Sequence, residues 1–204
     1  MKRNFFISIF FMTLPFMLQA ADSASNRKDQ TLRIGQKSGI HLMYLTTSPI
    51  VLEFPGENWM FGFASGSGKY SYSYVDSSTT RTQNVNFNTT EINGRYYIGN
   101  SFNIPFGYAM YKITWPDWVY SGVTYDLEYS INQLNIGIGN EWTYDWGGFL
   151  GIDWYQTGAK MSEEATLTLK SGTETTSTKT KATSTTTEIA AFSGALIFTF
   201  GFGF

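Results

Sequence analysis

The sequence predicts an all-β fold: an antiparallel up-and-down transmembrane β-barrel of eight strands, following a cleaved N-terminal signal peptide. Three observations carry it. Residues 190–204 read A-A-F-S-G-A-L-I-F-T-F-G-F-G-F, with Phe192, Leu196, Phe198, Phe200, Phe202 and Phe204 at even positions and, apart from Ile197, small residues at odd ones. A period of two is a strand, here with one aromatic face and one face almost without side-chain volume. Thirteen Tyr and six Trp, within 18% aromatic residues, exceed what a soluble core needs and match the interfacial girdles of a membrane barrel. Finally, the alternating runs are joined by short turns at 55–58, 99–101 and 139–145 and by longer polar stretches at 75–82, 115–122 and 161–188. Short and long connections alternate strictly, as they do when the two ends of a barrel face different compartments.

At the N-terminus a basic start (Lys2, Arg3) precedes an apolar run over 5–18 and a small-residue exit at Ala20 and Ala21. That describes a signal peptide, 1–20, cleaved after 20 or 21. The apolar run is shorter than the ~18 residues expected of a membrane-spanning helix. Residues 21–30 are polar and read as a flexible lead-in to a barrel over 31–204. The chain has no cysteine, which excludes a disulfide framework and lipid modification at Cys. A net charge of −2 with sparse charges leaves no basic surface for nucleic acid.

Within the barrel, 31–54 is the least regular part. Ile40, Leu42, Tyr44, Ile50, Leu52 and Phe54 keep one parity, but Thr46-Thr47-Ser48-Pro49 interrupts them, and Pro49 marks a turn, an edge or a bulge. An even strand number requires two strands here. Trp59, Phe61 and Phe63 then alternate, and beyond Ser65-Gly66-Ser67-Gly68 the aromatic parity flips to Tyr70, Tyr72 and Tyr74. A glycine bulge accounts for such a flip; alternatively the outer half of the strand leaves the bilayer and both faces are wet. The same Gly-rich stretch is similar to part of a phosphate-binding loop, but Phe63 and Tyr70 stand where that pattern needs Gly and Ser or Thr.

The next strand covers 83–98, with Val85 and Phe87 early and Ile92, Tyr96 and Ile98 late. Its return presents Phe102, Ile104, Phe106, Tyr108 and Met110 outward. Val123, Tyr125, Leu127, Tyr129 and Ile131 are read as outward against Asp126 and Glu128, with a parity shift near Gln133. Trp146, Leu150, Ile152 and Trp154 face out on the following strand, with Asp153 inward. In 161–188, fifteen of 28 residues are Ser or Thr, a composition that buries no core, so the segment reads as a long exposed loop with a β-extension near 166–169.

The interior of an eight-stranded barrel is just wide enough for its own side chains, and charges placed there must be paired. The expected polar network of the lumen is Arg95, Asp126, Glu128 and Asp153, with Asn132, Glu91 and Lys112 beside it. A narrow polar path for small solutes is the competing use of the same residues. Asp126 and Glu128 share a face, as an acid–base pair must, but so does any polar stripe. His41, the single histidine, lies in an irregular stretch with no partner motif, so no catalytic residue is assigned. With one His and no Cys, neither a metal site nor a cofactor is expected.

The final strand, aromatic at every second position and closing on Phe204, resembles the assembly signal of bacterial outer-membrane β-barrel proteins, carried here by Phe200, Phe202 and Phe204. As architecture, the chain is similar to the OmpA, OmpX and OmpW group. No functional residue carries over from a likeness of that kind. The resemblance implies an outer-membrane location, contact with outer-membrane lipid and lipopolysaccharide, periplasmic chaperones, and insertion by the barrel assembly machinery. It places 21–30 in the periplasm and 161–188 outside the cell. The expected function is non-enzymatic, a structural or surface-interaction barrel with a filled lumen. A narrow channel or transporter is the alternative, and a lipid-modifying enzyme built on His41 the third.

Overall fold

The computed structural model describes residues 23–40, 42–76, 79–120, 122–173, 175–177, 179–180 and 195–204. In chain order they form α1 (Ser23–Lys28), β1 (Arg33–Gly39), α2 (Leu42–Thr47), β2 (Ile50–Pro55), β3 (Trp59–Asp76), β4 (Thr79–Ile98), β5 (Phe102–Tyr120), β6 (Val123–Thr143), β7 (Gly148–Ser171) and β8 (Ala195–Gly203). Each strand pairs antiparallel with the next, and β1 pairs with β8, so the sheet closes into an eight-stranded up-and-down barrel. Residues 31–54 hold the two strands that an even count requires, with α2 between them. Residues 1–20, read as a signal peptide, lie outside the described residues.

At the closing seam Gly35 pairs with Gly201. A Cβ on Gly35 would run into the Phe200 carbonyl and the Phe149 ring, so the small-residue face of β8 and β1 is what admits Phe149 to the interior. The outward face of β8 carries Phe200 and Phe202, 48% and 56% exposed.

The strands are unequal. β1, β2 and β8 have 7, 6 and 9 residues, whereas β3 to β7 have 18 to 24. At ~3.3 Å per residue the short strands make a wall roughly 20–30 Å long. The five long strands continue past it as a rolled sheet. This revises the expected loops. β3 runs to Asp76 and β4 starts at Thr79, and the two pair to that point, so 75–76 and 79–82 are strand rather than loop. β5 continues through 115–120, with a bulge between Trp115 and Trp118 where Pro116 has no N–H to donate and Asp117 takes a positive φ of 55°. β7 continues to Ser171, so the first part of 161–188 is strand. Polar composition in the parts of these stretches that are strand therefore does not mark irregular backbone.

Two further expectations are corrected. The pairing of β3 with β4 is unbroken from Trp59↔Tyr96 to Asp76↔Thr79, so 65–68 contains no bulge. Its glycines serve α2 instead: a Cβ on Gly66 would strike the Thr47 carbonyl, and one on Gly68 the Thr46 carbonyl. On β6 the alternation of buried and open residues is continuous through Gln133, and the extra residue sits on the partner strand, at Met161 between the pairs Asn132↔Ser162 and Gln133↔Lys160.

With parity unbroken, the residue chemistry inverts instead. On β4 the inward residues Val85 and Phe87 are apolar and buried, and farther along Glu91, Asn93 and Arg95 take the same face. On β6 the inward set passes from Val123, Tyr125, Leu127, Tyr129 and Ile131 to Gln133, Asn135 and Glu141. The outward set changes in the opposite sense, from Asp126 and Glu128 to Leu134, Ile136 and Ile138, which are 47–56% exposed. The change falls in register: Thr90 pairs with Met110, and Met110 with Asn132. Below this row the barrel is polar inside and apolar outside. Above it, Val85, Phe87, Tyr111, Ile113, Tyr129 and Ile131 pack into one interior cluster, and Trp118, Val123, Tyr125 and Leu127 into another.

Candidate functional site

Eight charged side chains are buried among the described residues: Arg27, Arg33, Lys37 and Arg95 against Glu53, Glu91, Glu141 and Asp153. All but Arg27 sit on inward strand positions, where the pleat sends every second side chain to the lumen. Arg95 on β4 grips Asp153 on β7 with both terminal nitrogens, at 2.5 and 3.1 Å, and donates to Asn103 Oδ1 at 2.9 Å. Its Nε lies 3.5 Å from Glu141 Oε2, an ion pair without a hydrogen bond. Glu141 Oε1 accepts from Arg33 Nη1 at 2.5 Å and from the Tyr97 hydroxyl at 2.6 Å. Arg33 also donates to Thr143 Oγ1 and Gln30 Oε1, each at 2.6 Å, and lies over the Phe149 ring at 4.8 Å. The network therefore crosses the barrel from β1 through β4 and β6 to β7.

A second knot lies toward α2. Lys37 Nζ donates to Glu91 Oε2 at 2.9 Å, and the Tyr44 hydroxyl, brought in by α2, is 3.4 Å from the same oxygen and 3.0 Å from the Tyr111 hydroxyl. Glu53 is fully buried among these groups, and its two carboxylate oxygens accept no hydrogen bond.

The lower mouth is closed by α1. Residues 21–30 were expected to be flexible, yet this short helix reaches all three turns at that end. Thr143 N donates to Ser23 Oγ at 2.8 Å, Ala24 N to Asn100 Oδ1 at 2.8 Å, and Arg27 to the carbonyls of Asn100 and Glu57 at 3.3 and 3.2 Å. The Arg27 guanidinium stacks on Tyr97 at 3.4 Å, and Gln30 Nε2 donates to the Gly147 carbonyl at 3.2 Å. Polar residues next to a barrel mouth find their partners in the unpaired backbone of its turns.

Of the four residues expected to form the lumen network, the structure brings together Arg95 and Asp153. Asp126 and Glu128 are instead on the outer face of the long-strand extension, about half exposed. Their apolar neighbours Tyr125, Leu127 and Tyr129 point inward because this part of β6 lies above the inversion row. Glu128 pairs with Lys112, likewise outward, at 2.6 Å. Asp126 accepts the Asp117 backbone N–H at 3.0 Å, and that bond first, then Lys170, holds its carboxyl below the ordinary range. Four further members, Arg33, Lys37, Glu53 and Glu141, were not expected from the sequence. Two of them carried a signal: outward Ile50, Leu52 and Phe54 force Glu53 inward, and the parity of Gln133 continues to Glu141.

Among the described residues no group of three or more His, Asp or Glu side chains is placed to hold a metal ion. His41 lies outside them. No protein-family model and no curated protein matches the chain. Among solved structures it is similar to the crystal structure of Acinetobacter baumannii CarO, at 11% identity and a TM-score of 0.41, over 87% of this chain and 99% of that one.

Proposed function

We propose that the chain is an integral outer-membrane β-barrel with a structural or surface-interaction role, non-enzymatic, its lumen filled rather than conducting. The inversion of inside and outside along unbroken strands is the observation that carries this reading. Exposed Phe61, Ile136 and Phe202 on the closed barrel, with arginines and carboxylates inside, suit hydrocarbon surroundings. The extension, apolar inside and polar outside, suits water. Phe200, Phe202 and Phe204 then lie on the lipid face and serve as the element recognised during assembly. The third reading, a lipid-modifying enzyme built on His41, predicts altered lipid A on expression, lost in His41→Ala.

The charged lumen gives the channel reading its support, since Arg95, Glu141 and Asp153 cross the whole interior. Against it stand the balance of the eight buried charges, four of each sign, the direct ion pairs Arg33–Glu141, Lys37–Glu91 and Arg95–Asp153, and the closure of the lower mouth by α1. Cell fractionation tests the membrane reading: the protein should sediment with outer membrane and migrate faster on SDS gels before boiling than after. A mature protein recovered from the soluble periplasm, or one without a heat-dependent shift, ends it.

A further inference from the structure

The outward residues of β4, β5 and β6 stack in rows set by the pairing register, and the rows change chemistry one step at a time. Ile92, Tyr108 and Leu134 form the last apolar row. Thr90, Met110 and Asn132 follow, then Asn88, Lys112 and Ser130. Rows on one face of a strand are roughly 7 Å apart. A concavity of about 330 Å³ lies over the second and third of these rows, lined by Asn88, Thr90, Met110, Lys112, Ser130 and Asn132.

Its two halves differ. Met110 is 41% exposed beside the apolar row, and an unbranched thioether adapts to irregular apolar partners. One row up, Lys112 is the single cation among the described outward residues of β4, β5 and β6 above the inversion, flanked by an amide and a hydroxyl. Its present partner, Glu128, is 2.6 Å away, with both side chains about half exposed. Exposed ion pairs of this kind are worth at most about 1 kcal/mol, so the ammonium is free to take a stronger anion. A second groove of about 500 Å³, whose lining includes Asn86, Thr114, Asp126, Glu128 and Thr166, lies farther from the apolar band.

We infer that this concavity is a headgroup site for lipopolysaccharide of the outer leaflet. An acyl chain lies against Met110, a sugar phosphate sits on Lys112, and the amide and hydroxyl side chains take the sugar hydroxyls. The inference rests on the membrane reading above, since only a molecule whose apolar end lies beside the Ile92 row can reach both halves.

The test uses full-length mature protein refolded in detergent, with folding verified by its heat-dependent gel shift. Binding is measured for lipopolysaccharide, enzymatically dephosphorylated lipopolysaccharide and phosphatidylglycerol. Lys112→Ala should weaken lipopolysaccharide binding about fivefold, the worth of one Lys beside an anionic lipid surface, and Lys112→Glu about twenty-five-fold. Dephosphorylated lipid should bind all three proteins alike. Equal lipopolysaccharide binding by the three proteins overturns the site. So does phosphatidylglycerol binding as tight as lipopolysaccharide, which would make the contact one of charge alone. Failure to show the gel shift strikes the membrane reading itself and is thereby distinguished from failure of the site.

Discussion

The closed barrel and the long-strand extension are built from the same strands with the same pleat parity, yet they solve opposite problems. In the barrel Arg95, Glu141 and Asp153 are hidden and Phe61, Ile136 and Phe202 are shown; in the extension Tyr125, Leu127 and Tyr129 are hidden and Asp126 and Glu128 are shown. Backbone geometry fixes only which residues share a face. Which face is buried is decided by the surroundings, and on the membrane reading these change at the row Thr90–Met110–Asn132. A strand that crosses this row needs no bulge to exchange its faces.

The largest test of that contrast is inside the barrel. Glu141→Ala removes the acceptor shared by Arg33 and Tyr97 and the carboxylate that Arg95 faces at 3.5 Å, leaving two buried guanidinium groups short of a counter-charge. Breaking a buried pair on one side costs about 3–5 kcal/mol, whereas replacing both members by apolar groups is often neutral. Denaturant unfolding in detergent should show that loss for Glu141→Ala and a much smaller one for the double change Arg95→Met with Asp153→Leu. Equal losses for the two would mean that the network acts through its hydrogen-bond geometry, not through its uncompensated charge.

On the outer surface the two regions should respond oppositely to one substitution. Ile136→Arg puts a charge two rows inside the apolar band, where an arginine costs about 2–4 kcal/mol near the membrane midplane. Ser130→Arg, three rows farther along the same strand, should cost less than about 0.5 kcal/mol, as surface changes do. Unfolding from lipid vesicles gives both numbers. Similar costs would place both residues in the same medium and remove the boundary.

A smaller effect is expected at the lower mouth. Arg27→Ala deletes two hydrogen bonds to turn carbonyls and the stacking on Tyr97, worth about 1–3 kcal/mol in all. Planar-bilayer recordings should stay silent, because the side chains above Arg27 still fill the lumen. Reproducible single-channel steps in the variant, absent from the parent protein, would favour the channel reading with α1 as its plug.

Much of this architecture was legible in the sequence. The period of two, the outward Phe102-to-Met110 series and the final aromatic strand each identify a strand and its outward apolar face without reference to anything distant. Arg95 and Asp153 were legible for the same reason: both lie on strands whose other face is plainly apolar below the inversion. Asp126 and Glu128 were misplaced because apolar residues at alternate positions look the same whether lipid or a protein core covers them. Only the pairing of β6 with β5 and β7 distinguishes the two. The helices were illegible for a different cause. α1 and α2 have six residues each, too few to be stable alone, and exist because turn carbonyls and Gly66 and Gly68 receive them. Their cause lies on other strands, so no window along their own sequence contains it.

The least of these effects is a pH dependence confined to the extension. Asp126 is on the surface, and its carboxyl is held below the ordinary value by the Asp117 N–H and then by Lys170. A carboxyl whose folded value is depressed adds stability above its unfolded value, near 3.9, and loses it as pH falls through the lower folded value. The contribution should therefore be full at neutral pH and gone once pH has fallen through the folded value. It acts on the bulge between Trp115 and Trp118, where Asp117 takes its positive φ. Amide exchange of Asp117 and its neighbours should be faster in Asp126→Asn than in the parent at pH 6, and the two should converge on acidification, while the amides of the Arg95 network stay unchanged in both. A difference that persists after full acidification would assign the protection of the bulge to packing by Trp115 and Trp118, and the extension would then owe nothing to its surface charges.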